Sequence, residues 1–195
     1  MRYLALGDSF TIGTGTTPDR SFPAMLARRW RERGIECDQR NPAVNGYTTD
    51  DLVREELPLV RSYAPELITL LVGANDIVAG SSAARYRERL RVIYARVVAD
   101  APGARRFALP QPDWSLTSAG ASFGDPARIA REIERFNGIA RDEATRAGAA
   151  YVDIFPLMRE QMRTGMTAPD GLHPSAAAYA AWAEALEDRL TPAVS

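Results

Sequence analysis

Short apolar runs alternate with amphipathic helical patterns from one end of the chain to the other. That alternation points to an α/β fold with a parallel sheet covered on both faces. Strands are expected over residues 3–6, 35–41, 67–72, 106–109 and 149–154, and helices over 22–33, 48–61, 83–99, 126–147 and 175–190. The run Leu67-Ile68-Thr69-Leu70-Leu71-Val72 has the pattern of a strand buried on both sides. Phe22, Met25, Leu26 and Trp30 recur at helical spacing, and Gly34 ends that helix. Thr49 or Asp50 is the expected N-cap of the second helix and Ser175 that of the last. In open α/β sheets, ligands bind beyond the carboxyl ends of the strands. Chemistry is therefore expected just after Leu6, near Asn45, after Val72 and in the late loops.

The chain has 195 residues, which suits a single domain over 1–195. A chain this long buries roughly 70% of its unfolded surface, so it needs neither disulfide nor metal to fold. Cys37 is the one cysteine, which excludes an intrachain disulfide and a cysteine-based zinc site. All 24 basic residues are arginine, so lysine Schiff bases and a P-loop lysine are excluded. The net charge of −1 provides no field to draw in nucleic acid or an anionic membrane. Arg85, Arg87, Arg89 and Arg91, like Arg28, Arg29 and Arg33, read as solvated helix faces. No secretory signal pattern and no membrane-spanning apolar stretch is present, so a cytoplasmic location is the expectation.

Four short segments fall where the topology points. Gly7-Asp8-Ser9-Phe10 follows the first strand and would present a serine hydroxyl to the crevice, although a serine there is more often a helix cap. It is not the Gly-x-Ser-x-Gly elbow, because Thr11 stands at the second glycine position. Asn45-Gly46-Tyr47 can let a substrate approach a free backbone N–H, or can be an ordinary turn. Gly73-Ala74-Asn75-Asp76 can aim a side-chain amide into the crevice, or form an Asx turn. Asp170-Gly171-Leu172-His173-Pro174 holds the chain's only histidine with a carboxylate three residues away. Such a pair can supply a base and the partner that fixes its tautomer.

Taken together, the four segments resemble the GDSL, or SGNH, hydrolase family, in block order from Gly7 to Pro174. The resemblance implies a flavodoxin-like three-layer α/β/α sandwich around a mostly five-stranded parallel sheet. It also implies a serine esterase acting on carboxylic esters of small or medium acyl groups. The family's four named positions fall on Ser9, Gly46, Asn75 and His173, and its triad acid on Asp170. Phe10 replaces the leucine that usually follows the serine, an apolar exchange. The implied mechanism makes Ser9 the nucleophile, His173 the general base and Asp170 its orienter. The oxyanion hole would comprise the Ser9 and Gly46 N–H groups and the Asn75 amide. The implied chemistry needs no metal or organic cofactor.

The stretch 111–125 lacks clear periodicity and holds Trp114 and Phe123, which makes it a candidate substrate loop. A thioesterase, a lysophospholipase and a carbohydrate O-deacetylase would use the same site. A flavin- or nucleotide-binding module is the alternative of a different class. Thr14-Gly15-Thr16-Thr17 matches only half of a flavodoxin phosphate loop, and Pro18 stands where a dinucleotide fingerprint needs its third glycine.

Overall fold

The computed structural model describes residues 1–191. Strand β1 (Arg2–Gly7) passes through one helical turn, α1 (Ser9–Ile12), to helix α2 (Phe22–Glu32) and the short β2 (Asp38–Arg40). A helical stretch follows, made of α3 (Thr49–Asp51), a π-helical turn (Leu52–Glu56) and α4 (Leu57–Tyr63). Next come β3 (Leu67–Leu71), α5 (Ala74–Val78), α6 (Ala83–Asp100) and β4 (Arg105–Ala108). The long α7 (Pro126–Arg146), β5 (Ala150–Tyr151), α8 (Phe155–Arg163) and α9 (Ala176–Leu190) complete the described chain.

The five strands are parallel, in the order β2-β1-β3-β4-β5. The chain moves outward one way from β1 to β2, then crosses back to β3. The crevice at that reversal, over the carboxyl ends of β1 and β3, is where such sheets bind ligands. Gly7 and Leu71 are register partners there, so the loops that follow them leave the sheet side by side.

Helices α2 and α9 pack against each other on one face, with Trp30, Phe22 and Trp182 fully buried. Helices α4, α6 and α7 cover the other, where Tyr86 stacks on Phe136 at 4.3 Å between ring centroids. Leu67–Leu71 is buried along its whole length, as a strand sandwiched between two helical layers must be. The result is the three-layer α/β/α sandwich that the alternating pattern predicts.

The local differences have physical reasons. β2 starts three residues later than expected, because Ile35 N is still bonded back to the Trp30 carbonyl of α2 at 2.9 Å. It ends one residue earlier, at Arg40, two residues before Pro42, which lacks the N–H that a ladder needs. β5 stops at Tyr151 because it is an edge strand pairing only with Phe107 and Ala108, after which Asp153 accepts from Phe155 N and turns the chain into α8. Helix α8 adds to the expected set. Its Pro156 lies in the first turn, where proline is favoured rather than disruptive. Thr48, not Thr49 or Asp50, caps α3, in a reciprocal capping box with Asp51.

The arginine-rich faces do more than meet solvent. Arg29 and Arg33 reach Glu187 at 2.6 and 3.3 Å, joining α2 to α9. Arg87 and Arg91 reach Glu143 at 2.5 and 3.0 Å, joining α6 to α7.

Candidate active site

The end of β1 turns sharply into α1. A side chain at residue 7 would not fit that turn: a Cβ on Gly7 would lie 2.2 Å from Thr11 Oγ1 and 2.3 Å from the Leu71 carbonyl. Asp8 caps the turn by accepting from Phe10 N at 3.1 Å, and Ser9 becomes its first residue. The Ser9 N–H has no acceptor among the described residues. The sequence-predicted nucleophile thus sits at the mouth of the crevice with a free backbone donor.

Asn41 starts the next loop by donating from Nδ2 to the Thr11 carbonyl at 2.8 Å. The loop then carries Gly46 at φ +90°, a left-handed conformation that an L side chain would strain to adopt. Gly46 is exposed, and its N–H also has no acceptor among the described residues. Asn75 lies on α5, just past the end of β3, and donates from Nδ2 to the Tyr47 carbonyl at 2.9 Å. An amide nitrogen has two hydrogens, so this bond fixes the Asn75 side chain and leaves one donor over.

The loop over 164–175 is closed on itself. Ala168 N donates to the His173 carbonyl at 2.7 Å, Ser175 N to the Met166 carbonyl at 2.9 Å, and Thr167 bridges Pro174. Within it, Asp170 Oδ1 accepts from the N–H groups of Leu172 and His173 at 2.9 and 3.0 Å. That leaves Oδ2 for His173 Nδ1, at 2.7 Å. Partial burial works against the Asp170 charge, but the Leu172 and His173 donors outweigh it and hold the carboxyl below its usual range. An ionised Asp170 makes Nδ1 the donor and leaves Nε2 as the free base nitrogen.

Ser9, Gly46, Asn75 and His173 line one cavity of about 260 Å³. Asp170 stands behind His173, outside the lining. No hydrogen bond joins Ser9 Oγ to the imidazole here, and such bonds commonly tighten only in the substrate complex. Trp114 and Phe123 also line the cavity, their rings edge to face at 5.6 Å. Sequence reasoning missed Phe10, Ala74, Val78 and Leu172, which complete an apolar wall. Phe10, Ala74 and Leu172 lie within the four segments, which was the available signal. Among the described residues, no Asp, Glu or Arg side chain lines the cavity.

Two further acids lie beneath the site, fully enclosed. Burial pushes Asp8 up to about 7 against the hydrogen bond from Phe10 N. Burial likewise pushes Glu56 up to about 8, although Gly7 N donates to its Oε2 at 3.0 Å. Gly15, within the segment Thr14-Gly15-Thr16-Thr17, packs behind the histidine loop, where a Cβ on it would lie 2.5 Å from Ala168 Cβ. That gives the flavodoxin-like sequence fragment a packing role. Among the described residues no cluster of three or more His, Cys, Asp or Glu side chains could hold a metal ion. No helix among them is long and apolar enough to cross a membrane.

A nucleophile-bearing turn, free backbone donors, a fixed amide and an Asp–His pair around one small apolar cavity can perform acyl transfer. Comparison with known proteins points the same way. Esterase TesA of Pseudomonas aeruginosa is 23% identical over 175 residues, covering 90% of this chain and 80% of that protein. An arylesterase of Vibrio mimicus is 29% identical over 79 residues, 40% of each chain. The crystal structure of TesA superposes with a TM-score of 0.76 at 23% identity, over 98% of this chain and 99% of that one. A catalytic mutant of Axe2, an acetylxylan esterase from Geobacillus stearothermophilus, superposes with a TM-score of 0.78 at 17% identity, over 98% and 94%. The profile of the GDSL-like lipase/acylhydrolase family matches residues 5–181, and the chain belongs to that family.

Proposed function

We propose that the protein is a serine esterase that hydrolyses neutral carboxylic esters with small or medium acyl groups through an acyl-enzyme on Ser9. The observation that carries this reading is the Asp170 Oδ2–His173 Nδ1 bond of 2.7 Å, whose histidine faces the same cavity as Ser9. His173 Nε2 takes the Ser9 proton as Oγ attacks the ester carbonyl. Asp170 stabilises the imidazolium that forms. The oxyanion is met by the Ser9 and Gly46 N–H groups and by the second Asn75 amide hydrogen. The imidazolium then protonates the departing alcohol, and water hydrolyses the acyl-enzyme with His173 again as base.

The cavity supports the substrate class. Its volume of about 260 Å³ is below the range of drug-sized pockets, and its walls are apolar. It offers no cation to a phosphate, so a neutral ester fits it better than a phospholipid head group or the phosphates of a coenzyme thioester. An arylesterase and an acetylxylan esterase are among the proteins it resembles. The protein is read as one hydrolase domain over 1–195, working on a small-molecule ester in an aqueous compartment.

The test is hydrolysis of p-nitrophenyl esters, from acetate to decanoate, by wild type and Ser9→Ala. Wild type is expected to prefer short chains and to fall off once the acyl group outgrows the cavity. Ser9→Ala, folded, is expected to drop to background. Equal activity of the two proteins would remove Ser9 as nucleophile.

A further inference from the structure

The two segments that carry the Gly46 and Asn75 donors are tied together by groups the reaction scheme does not use. Asn75 Nδ2 donates to the Tyr47 carbonyl at 2.9 Å. The next residue, Asp76, is only 3% exposed and takes both donors of Thr49: Oδ2 accepts from Thr49 N at 2.9 Å and Oδ1 from Thr49 Oγ1 at 2.5 Å. Thr49 is itself fully buried, at the first position of α3. Residues 75 and 76, at the end of β3, therefore hold residues 47 and 49 on either side of Thr48.

Little else holds Gly46. The loop is anchored at its start by Asn41 on Thr11, and a Cβ at residue 46 would meet nothing within 4 Å. At its far end Asn75 and Asp76 hold residues 47 and 49, and Arg85 and Arg89 of α6 reach the neighbouring Asp50 at 2.6 Å each. A buried carboxylate carries a desolvation cost, and an apolar pair of the same shape would avoid it. What the carboxylate adds is geometry: two acceptors in one plane meet a backbone N–H and a hydroxyl of one residue.

We propose that Asp76, through Thr49, is a positioning residue that sets the Gly46 N–H and the Asn75 amide at the separation an oxyanion requires. This rests on the reading of Ser9 as nucleophile and of Gly46 and Asn75 as oxyanion donors. Oxyanion donors act on the transition state more than on bound ester, so a misplaced donor lowers kcat and leaves KM nearly unchanged.

The experiment measures kcat and KM for Thr49→Val, which keeps the shape of the side chain and removes the hydroxyl rung. The expected result is a fall in kcat of about 10-fold or more with KM within about 2-fold, since small misplacements near reacting groups are costly. Thr49→Ser, which restores the hydroxyl, is expected to retain near-wild-type kcat. In an Asn75→Ala background, Thr49→Val is expected to cost clearly less than it does alone, because residues acting as a unit are not additive. A folded Thr49→Val with kcat within about 2-fold of wild type overturns the proposal, as does a full multiplicative loss in the Asn75→Ala background. If Thr49→Val does not fold, Thr49→Ala carries the same comparison. Ser9→Ala is assayed in parallel. If it stays active, the underlying reading fails; if it is dead while Thr49→Val is unaffected, only the positioning role fails.

Discussion

Asp170 divides its carboxylate between two tasks, and the division explains why an Asp three residues before a His makes a usable pair. Oδ1 holds the loop by accepting from Leu172 N and His173 N, and Oδ2 holds the ring. In Asp170→Asn the amide oxygen is needed by the two backbone donors, so the NH₂ group must face Nδ1. That would force the proton onto Nε2, the wrong tautomer for a base. The expected consequence is a kcat loss on the order of 10³–10⁴ with the fold intact, measured by steady-state kinetics and circular dichroism. Ser9, Asn75, Asp170 and His173 could be nominated from the sequence because each belongs to a short local pattern. Thr49, Asp76 and Glu56 were not, because their roles depend on partners 27 to 49 residues away.

At the scale of elements, the helical stretch after the Gly46 loop shows what periodicity conceals. Its pattern reads as one helix, and a helix it is, but a π turn at Leu52–Glu56 inserts one residue into the register. The turn places Glu56 under the end of β1, where β2 is too short to pair. Gly7 N would otherwise lack an acceptor, and Glu56 Oε2 provides one at 3.0 Å. Burial raises Glu56 from 4.5 to about 8, so the fold favours its neutral form. The stability this contributes is fully present below about pH 4.5 and is lost as pH rises through about 8. Glu56→Gln keeps the acceptor and cannot ionise. The gap in Tm between Glu56→Gln and wild type is therefore expected to shift in favour of the variant as pH rises from 5 to 8. A gap that stays constant, or shifts towards wild type, would show that Glu56 works as an anion.

At the scale of the molecule, the strand order decides where the chemistry can be. Residues 9, 46, 75 and 173 are far apart in the chain, and the reversal between β1 and β3 brings all four around one crevice. That convergence was legible from alternation and the four segments together, since a parallel sheet leaves few places for a site. The cavity walls were less legible: Val78 ends α5 outside the four segments, an apolar residue with no pattern to separate it from ordinary packing. Nor could spacing reveal that arginine-rich faces tie helices in pairs, because each ion pair spans more than 50 residues.

The central claim is that Ser9 is acylated with the Asp170–His173 pair behind it, and covalent labelling tests it most directly. The chain has no lysine, so trypsin cleaves at arginine alone and releases Ser9 on the peptide spanning residues 3–20. Wild type treated with an alkyl fluorophosphonate should gain one adduct, located on Ser9 by fragmentation of that peptide. Ser9→Ala should gain none, and His173→Ala should label at least about 10²-fold more slowly, as loss of a general base demands. An adduct on another residue, or ester turnover by a wild type that the reagent neither labels nor inhibits, would contradict the account.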